Sequence, residues 1–262
     1  DKILEAAAGM GDHELRTRME NIKKALVHSN KLKLTIIGQH FNELPEILSC
    51  LVGKPELFSR NAARTSRSFS IEAFYSESEQ YKVFMNGIDA YYVTQEAFEK
   101  SLCQRDDNEV PFCAEIYTNA PLLKVMDIHL VCSGNDFMDF DWISVLAESD
   151  YVVFVLKADA LLSATEIRFI RETLEALLEP NRYALLVNHF ERVREEEKED
   201  VHQFMNSFLS SLASKLPVYP FSAQTVLECI KTGNTIPEQY LSFLQMVRDY
   251  LAEKTTDIHQ QA

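Results

Sequence analysis

Residues 33–56, KLTIIGQHFNELPEILSCLVGKPE, carry the spacing of a loop that could hold phosphate. Such a loop needs glycines that let backbone N–H groups close around the anion. It also needs a lysine to neutralise charge and a Ser or Thr hydroxyl for Mg²⁺, in the pattern G-x-x-x-x-G-K-[ST]. Gly38 stands at the first position, but Glu43, Leu44 and Pro45 stand where the second glycine, the lysine and the hydroxyl belong. Glu43 puts a carboxylate where phosphates would lie. Two like charges at ~4 Å repel by roughly 1 kcal/mol in water and about 4 kcal/mol at an effective dielectric near 20. Leu44 has no ammonium, and Pro45 has neither hydroxyl nor amide N–H. Proline nevertheless suits the first turn of a helix, and Gly53 followed by Pro55 is a stop signal. The segment is therefore either a plain strand–turn–helix or a binding loop whose helix is retained with an internal anion, Glu43 or Glu46, at its positive end.

Other chemistry-bearing clusters read more simply as structure. His129 and Cys132 fall on opposite faces of a strand, which argues against a thiol–imidazole pair. NDFMDFDW, residues 135–142, groups Asp136, Asp139 and Asp141 but lacks the glycine and terminal Glu of a calcium loop. Trp142 is either a contact anchor or the first core residue of the next helix. The one basic stretch, RNAARTSR at 60–67, reads as a solvated loop.

The elements that must position these residues alternate in type. Strand-like runs occur at 32–38, 68–75, 81–85, 114–118, 127–132, 151–157, 182–188 and 218–222. Several are continuous apolar runs, as in a mostly parallel sheet buried on both faces. The runs at 68–75 and 81–85, split by a polar SESEQ, predict an antiparallel hairpin. Ser163 and Glu166 form a capping box for a helix with Ile167, Ile170 and Leu174 on one face. A second helix is expected from about Glu197 to Lys215. Amphipathic helices flank the core, one before residue 31 (Leu15, Met19, Ile22, Leu26) and one after Thr235 and Glu238 (Tyr240, Leu244, Val247, Leu251). The class is α/β, a doubly wound sheet over 31–233 with flanking helices at 1–30 and 234–262 forming a small bundle.

Composition narrows the function. With 26 Lys+Arg against 40 Asp+Glu, the net charge is −14. Nucleic acid and anionic lipid are poor partners for such a surface. The five cysteines form no C-x-x-C, which predicts reduced thiols in a cytoplasmic protein and no zinc site. No apolar run approaches the ~18 residues of a membrane span, so any membrane association is indirect. The chain opens at Asp1, read as a trimmed start, and the lack of a leader carries no weight.

Taken in order, these segments resemble the G domain of dynamin-superfamily GTPases, bacterial dynamin-like proteins especially, over about 32–223. EILSCLVG at 46–53 is similar to the helix after that family's phosphate loop. RTSRSFSI at 64–71, with Thr65, lies where its Thr-containing switch follows. EIYTNAPLLKVMDIHLVCSG at 115–134 is similar to the stretch ending in its third motif. There the metal-linked Asp falls at Val131, the next two motif positions at Cys132 and Ser133, and only Gly134 is kept. NHFE at 188–191 stands for the guanine-reading N-K-x-D, retaining Asn188 and replacing its acid with Glu191. FSAQ at 221–224 matches the last base-contacting motif through Ser222 and Ala223. The resemblance implies a three-layer P-loop GTPase-like fold from which the ligands of the triphosphate–metal unit are gone. The expectation is a pseudo-GTPase without cofactor or metal, acting as a protein-interaction or regulatory subunit. Its implied partner is an active dynamin-like GTPase or a membrane-remodelling factor, met through a face with Glu43, Asp136, Asp139, Trp142 and Glu191. Two alternatives stand beside it: a divergent nucleotide-binding GTPase with non-standard ligands, and a purely structural subunit.

Overall fold

The computed structural model describes residues 31–39, 43–58, 68–85, 89–103, 112–133, 141–160, 162–212 and 216–261. The predicted helix before residue 31 and the loop 60–67 lie outside the described residues.

β1 (Leu32–Gly38) is central, with every residue but Lys33 buried. It pairs in parallel with β6 (Met126–Cys132) on one side and β7 (Tyr151–Lys157) on the other. β8 (Tyr183–Asn188) and β9 (Val218–Pro220) extend the parallel array. Beyond β6 come β2 (Phe69–Tyr75), β5 (Phe112–Thr118), β3 (Gln80–Met85) and β4 (Asp89–Val93). Among the described residues the nine strands run β4-β3-β5-β2-β6-β1-β7-β8-β9. β2 is antiparallel to β6 and parallel to β5, and β3 is antiparallel to both β5 and β4. The predicted hairpin between 68–75 and 81–85 is therefore corrected. β5 inserts between those two strands, and β3 forms its hairpin with β4. β4 escaped the sequence reading because its DAYYV is a polar-flanked edge without an apolar run.

Odd and even positions of the strands face different helix layers. Ile36 and Leu130 face a core built with α1 (Leu44–Val52), α2 (Gln95–Cys103), α6 (Ala223–Thr232) and α7 (Glu238–Gln261), through Ile47, Phe98, Val226 and Phe243. Ile37 and Val131 face the opposite core of α3 (Trp142–Ala147), α4 (Ala164–Phe169) and α5 (Lys198–Ser210). The result is a three-layer α/β sandwich. α4 begins with the predicted Ser163–Glu166 capping box and continues through a wider turn, Ile170–Leu174. α5 ends at Ser210, before the predicted 215. α7 starts at Glu238, so Thr235 lies too early to cap it, and the Pro237 carbonyl accepts the N–H groups of Tyr240 and Leu241 instead. α7 is bound to the sheet's own core. The Tyr240 hydroxyl donates to the Cys50 carbonyl at 2.7 Å, and Tyr250 to the Asp150 carbonyl at 2.6 Å.

Candidate functional site

In a parallel sheet, loops at the carboxyl ends of the strands gather in one crevice. Here the ends of β1, β6, β7, β8 and β9 bring together Gly38, Val131, Lys157, Asn188 and the start of α6. The structure thus places most of the sequence-predicted residues in one neighbourhood, and their geometry separates scaffold from ligand chemistry.

α1 starts as predicted, with Pro45 in its first turn, and Gly53 ends it in the left-handed region at φ 68°. Leu44 is fully buried and folds down over Gly38. A Cβ on Gly38 would lie 3.0 Å from Leu44 Cδ2. The glycine is accounted for by this close approach of an apolar side chain, and Leu44 fills the core where a lysine would have to stay polar and free. Pro45 is buried, and its carbonyl accepts a hydrogen bond from Ser49 Oγ at 2.9 Å.

Glu43 is 2% exposed and occupies the cap position of α1, yet its side chain accepts no hydrogen bond from the helix N–H groups. Glu46 is the acidic residue of the first turn. The reading of Glu43 as an anion seated on the helix end is corrected. Its carboxylate turns to Lys157 Nζ at 3.5 Å and His189 Nε2 at 3.6 Å. Burial pushes the Glu43 carboxyl up to about 7, with Asp159 adding to the shift, while Lys157 and Arg192 oppose it. Desolvation wins because the partners stand at ion-pair distance and Oε1 has no hydrogen bond. Lys157 is the member of this cluster that the sequence reading passed over. Its signal was a lone cation closing the apolar run YVVFVLK.

His189 stands at φ 61°, a left-handed conformation costly for a non-glycine residue. That turn brings its ring back towards α1, with Nδ1 3.3 Å from the Glu191 carboxylate. Burial and nearby Arg192 lower its pKa, and Glu191 opposes them. Glu43, Lys157, His189 and Glu191 thus form one connected cluster of titratable side chains.

The residues expected on the base side join backbone segments. Asn188 is fully buried, and its Oδ1 accepts the Ala223 N–H at 3.1 Å, joining the end of β8 to the start of α6. Its Nδ2 has no hydrogen-bond partner. Ser222 Oγ caps α6 by accepting the Thr225 N–H at 3.2 Å. Both residues are thereby committed to joining backbone segments.

Val131 is fully buried among Ile37, Phe154 and other apolar side chains, so it offers no ligand to a metal. Thr65, Gly134, Asp136 and Asp139 lie outside the described residues. Asp141 caps α3, accepting the Ser144 N–H at 3.2 Å. Trp142 is 8% exposed and packs edge-on against Phe169 at 4.7 Å between ring centroids. Of its two readings, contact anchor or first core residue of the helix, this packing is that of the core residue, so Trp142 does not present its ring on a partner face. His129 and Cys132 lie on opposite faces of β6, His129 bonded to Ser70 Oγ at 2.7 Å and Cys132 in the α1-side core. Among the described residues no group of three His, Cys, Asp or Glu side chains has metal-binding geometry, and no helix is long and apolar enough to cross a membrane.

No family model matches the chain. No curated protein matches it either. Solved structures do. Two structures of an oligomerised bacterial dynamin pair, described as sensing and tethering membranes at long range, align with TM-scores of 0.63 and 0.64 at 14% and 13% identity. They cover 99% of this chain but only 44% and 53% of the dynamins, so the chain spans about half their length. Translation elongation factor SelB from Methanococcus maripaludis aligns over 84% of this chain and 34% of its own, with TM-score 0.43 and 14% identity. The nine-stranded, helix-covered sheet of this chain is thus the GTPase-like α/β fold seen in those bacterial dynamins.

Proposed function

We propose that this chain is a pseudo-GTPase: a G-domain scaffold that does not hydrolyse GTP and acts as a protein-interaction or regulatory subunit in the cytoplasm. The observation that carries the reading is the Glu43–Lys157–His189 cluster. In it a buried carboxylate at the start of α1 takes up the cation that ends β7. Leu44 buried on Gly38 and Val131 buried in hydrocarbon remove the remaining places for triphosphate and metal. Phosphoryl transfer depends on positioning and charge stabilisation, and these positions supply neither. The partner is a dynamin-like GTPase or a membrane-remodelling factor. Support for that class comes from the similarity to dynamins that work as an oligomerised pair.

A second reading, a divergent guanine-binding protein, is favoured by Asn188, whose Nδ2 is buried without a hydrogen-bond partner beside the retained Ala223. Calorimetric titration with GTP, GDP and guanosine, each with and without Mg²⁺, separates the two. The pseudo-GTPase reading expects no heat and no phosphate release with any of them. Magnesium-dependent GTP binding with turnover overturns it, and equal binding of guanosine and GTP selects the second reading.

A further inference from the structure

The two ends of the sheet are built differently. Among the described residues β4 pairs with β3 alone and β9 with β8 alone, so each leaves one side of its backbone without a ladder partner. Such edges invite a further strand, and proteins blunt them with short strands, proline, lysine or a cover. β9 is three residues long and ends in Pro220, which has no N–H to donate. β4 is five residues long, with the sequence DAYYV. It has no proline, lysine or glycine, and Tyr and Val favour strands. Ala90, Tyr91 and Tyr92 are exposed in succession, Tyr91 by 50% and Tyr92 by 68%. Successive residues of a strand point to opposite faces, so both faces of β4 are open at its middle.

Register assigns the faces. Tyr91 is opposite Val83 and Val93 opposite Tyr81, on the side of the sheet where Val83 and Tyr81 join the core with α2. Tyr92 is opposite Lys82 and Ala90 opposite Phe84, on the other side. Size and charge along β4 then decide what fits against it. When two β4 strands pair antiparallel over all five residues, a two-fold axis passes through Tyr91. Tyr91 meets Tyr91 of the second copy, Ala90 meets Tyr92 and Tyr92 meets Ala90. An aromatic pair on one face, and a small residue against a large one on the other, are favourable cross-strand neighbours. A foreign strand matches that order of sizes only by coincidence, whereas a second copy brings it by symmetry. Charge does not oppose the pairing locally. Asp89, the strand's one charged residue, falls opposite Val93, about 13 Å along the strands from Asp89 of the second copy at about 3.3 Å per residue. That exceeds the ~8 Å screening length at physiological salt.

We infer that β4 is a self-pairing edge, through which two copies of this chain join their sheets antiparallel and in register at Tyr91. Five residues a side bury little area for a permanent dimer, so the association is reversible and depends on concentration. The inference goes beyond the pseudo-GTPase reading and stands without it. β4 lies at the far end of the sheet from β7 and β8, whose ends carry the Glu43 cluster.

The test is sedimentation velocity on the full chain at physiological salt, over about two decades of micromolar concentration. A monomer–dimer equilibrium is expected. Tyr92→Lys, at an exposed position, sets a charge against the edge and is expected to weaken dimerisation at least tenfold, whereas Tyr92→Phe retains it. Oxidative cross-linking reads the register. In Tyr91→Cys two thiols face each other across the axis, with Cα atoms about 4.5 to 5.5 Å apart, within reach of a disulfide. In Tyr92→Cys they lie diagonally at about 7–8 Å, outside that reach. Tyr91→Cys is expected to cross-link at least tenfold faster than Tyr92→Cys or the wild type. Circular dichroism verifies that the variants fold. A monomer at every concentration, a dimer that Tyr92→Lys leaves intact, or Tyr92→Cys cross-linking as fast as Tyr91→Cys overturns the proposal.

Discussion

The Glu43 carboxylate lies 3.5 Å from the Lys157 ammonium, the acid buried at the start of α1 and the base 26% exposed at the end of β7. The asymmetry matters. The lysine keeps part of its hydration while the carboxylate gives up nearly all of its own, so the pair is governed by the cost of burying the acid. The cost falls at the start of α1, beside the carboxyl ends of β7 and β8.

The pH dependence of stability follows with a definite sign. Glu43 is raised from about 4.5 to about 7, so the folded state holds a proton that the unfolded chain has lost between those values. Stability is full below about pH 4.5 and falls as pH rises through about 7, by roughly 3 kcal/mol in total. Glu43→Gln removes that slope. Urea unfolding of wild type and variant across pH 4.5–8.5 is expected to give curves that diverge as pH rises, with the variant the more stable at pH 8. Parallel curves would contradict the buried carboxylate.

Removing the cation has the opposite effect. In Lys157→Met the ionised Glu43 loses its attracting charge, which costs about 1–3 kcal/mol at pH 8 and little at pH 5, where Glu43 is protonated. Denaturant midpoints at the two pH values measure it, and equal losses at both would assign Lys157 a packing role instead.

Gly38 is predicted to be a packing glycine. Gly38→Ala pushes a methyl group against Leu44 Cδ2, and the overpacking costs about 1–2 kcal/mol. Leu44→Val withdraws that end of the side chain, so the double variant recovers part of the loss. A double-mutant cycle of unfolding free energies tests this, and strict additivity would remove the Gly38–Leu44 contact as the cause.

His129, buried on β6, reports the acid side. Burial holds it at about 4 against an ordinary 6.5, so the unfolded chain takes up the proton first as pH falls. Stability is expected to drop from about pH 6.5 to about 4 by roughly 3 kcal/mol. His129→Gln, which keeps a partner for Ser70, flattens that limb. The Glu43 slope runs the other way in the same range, so the comparison is made between variant and wild type at each pH.

The sequence by itself determined what depends on neighbours along the chain. Apolar runs set the buried strands β1, β6, β7 and β8, and Ser163 with Glu166, and Gly53, set helix ends. These are local properties, because period, cap and stop signals act over a few residues. Only the tertiary structure decided the relationships between distant segments. Insertion of β5 between β2 and β3 depends on pairing across tens of residues, which no hairpin signal reports. The inward turn of Trp142 depends on Phe169 being there to receive it. Glu43 reads in the sequence as the acid of a helix end, yet it faces Lys157 and His189, which are 114 and 146 positions further along the chain. Its partner was set by where the sheet brings β7 and β8, since an ion pair answers to distance in space and not to spacing in the chain.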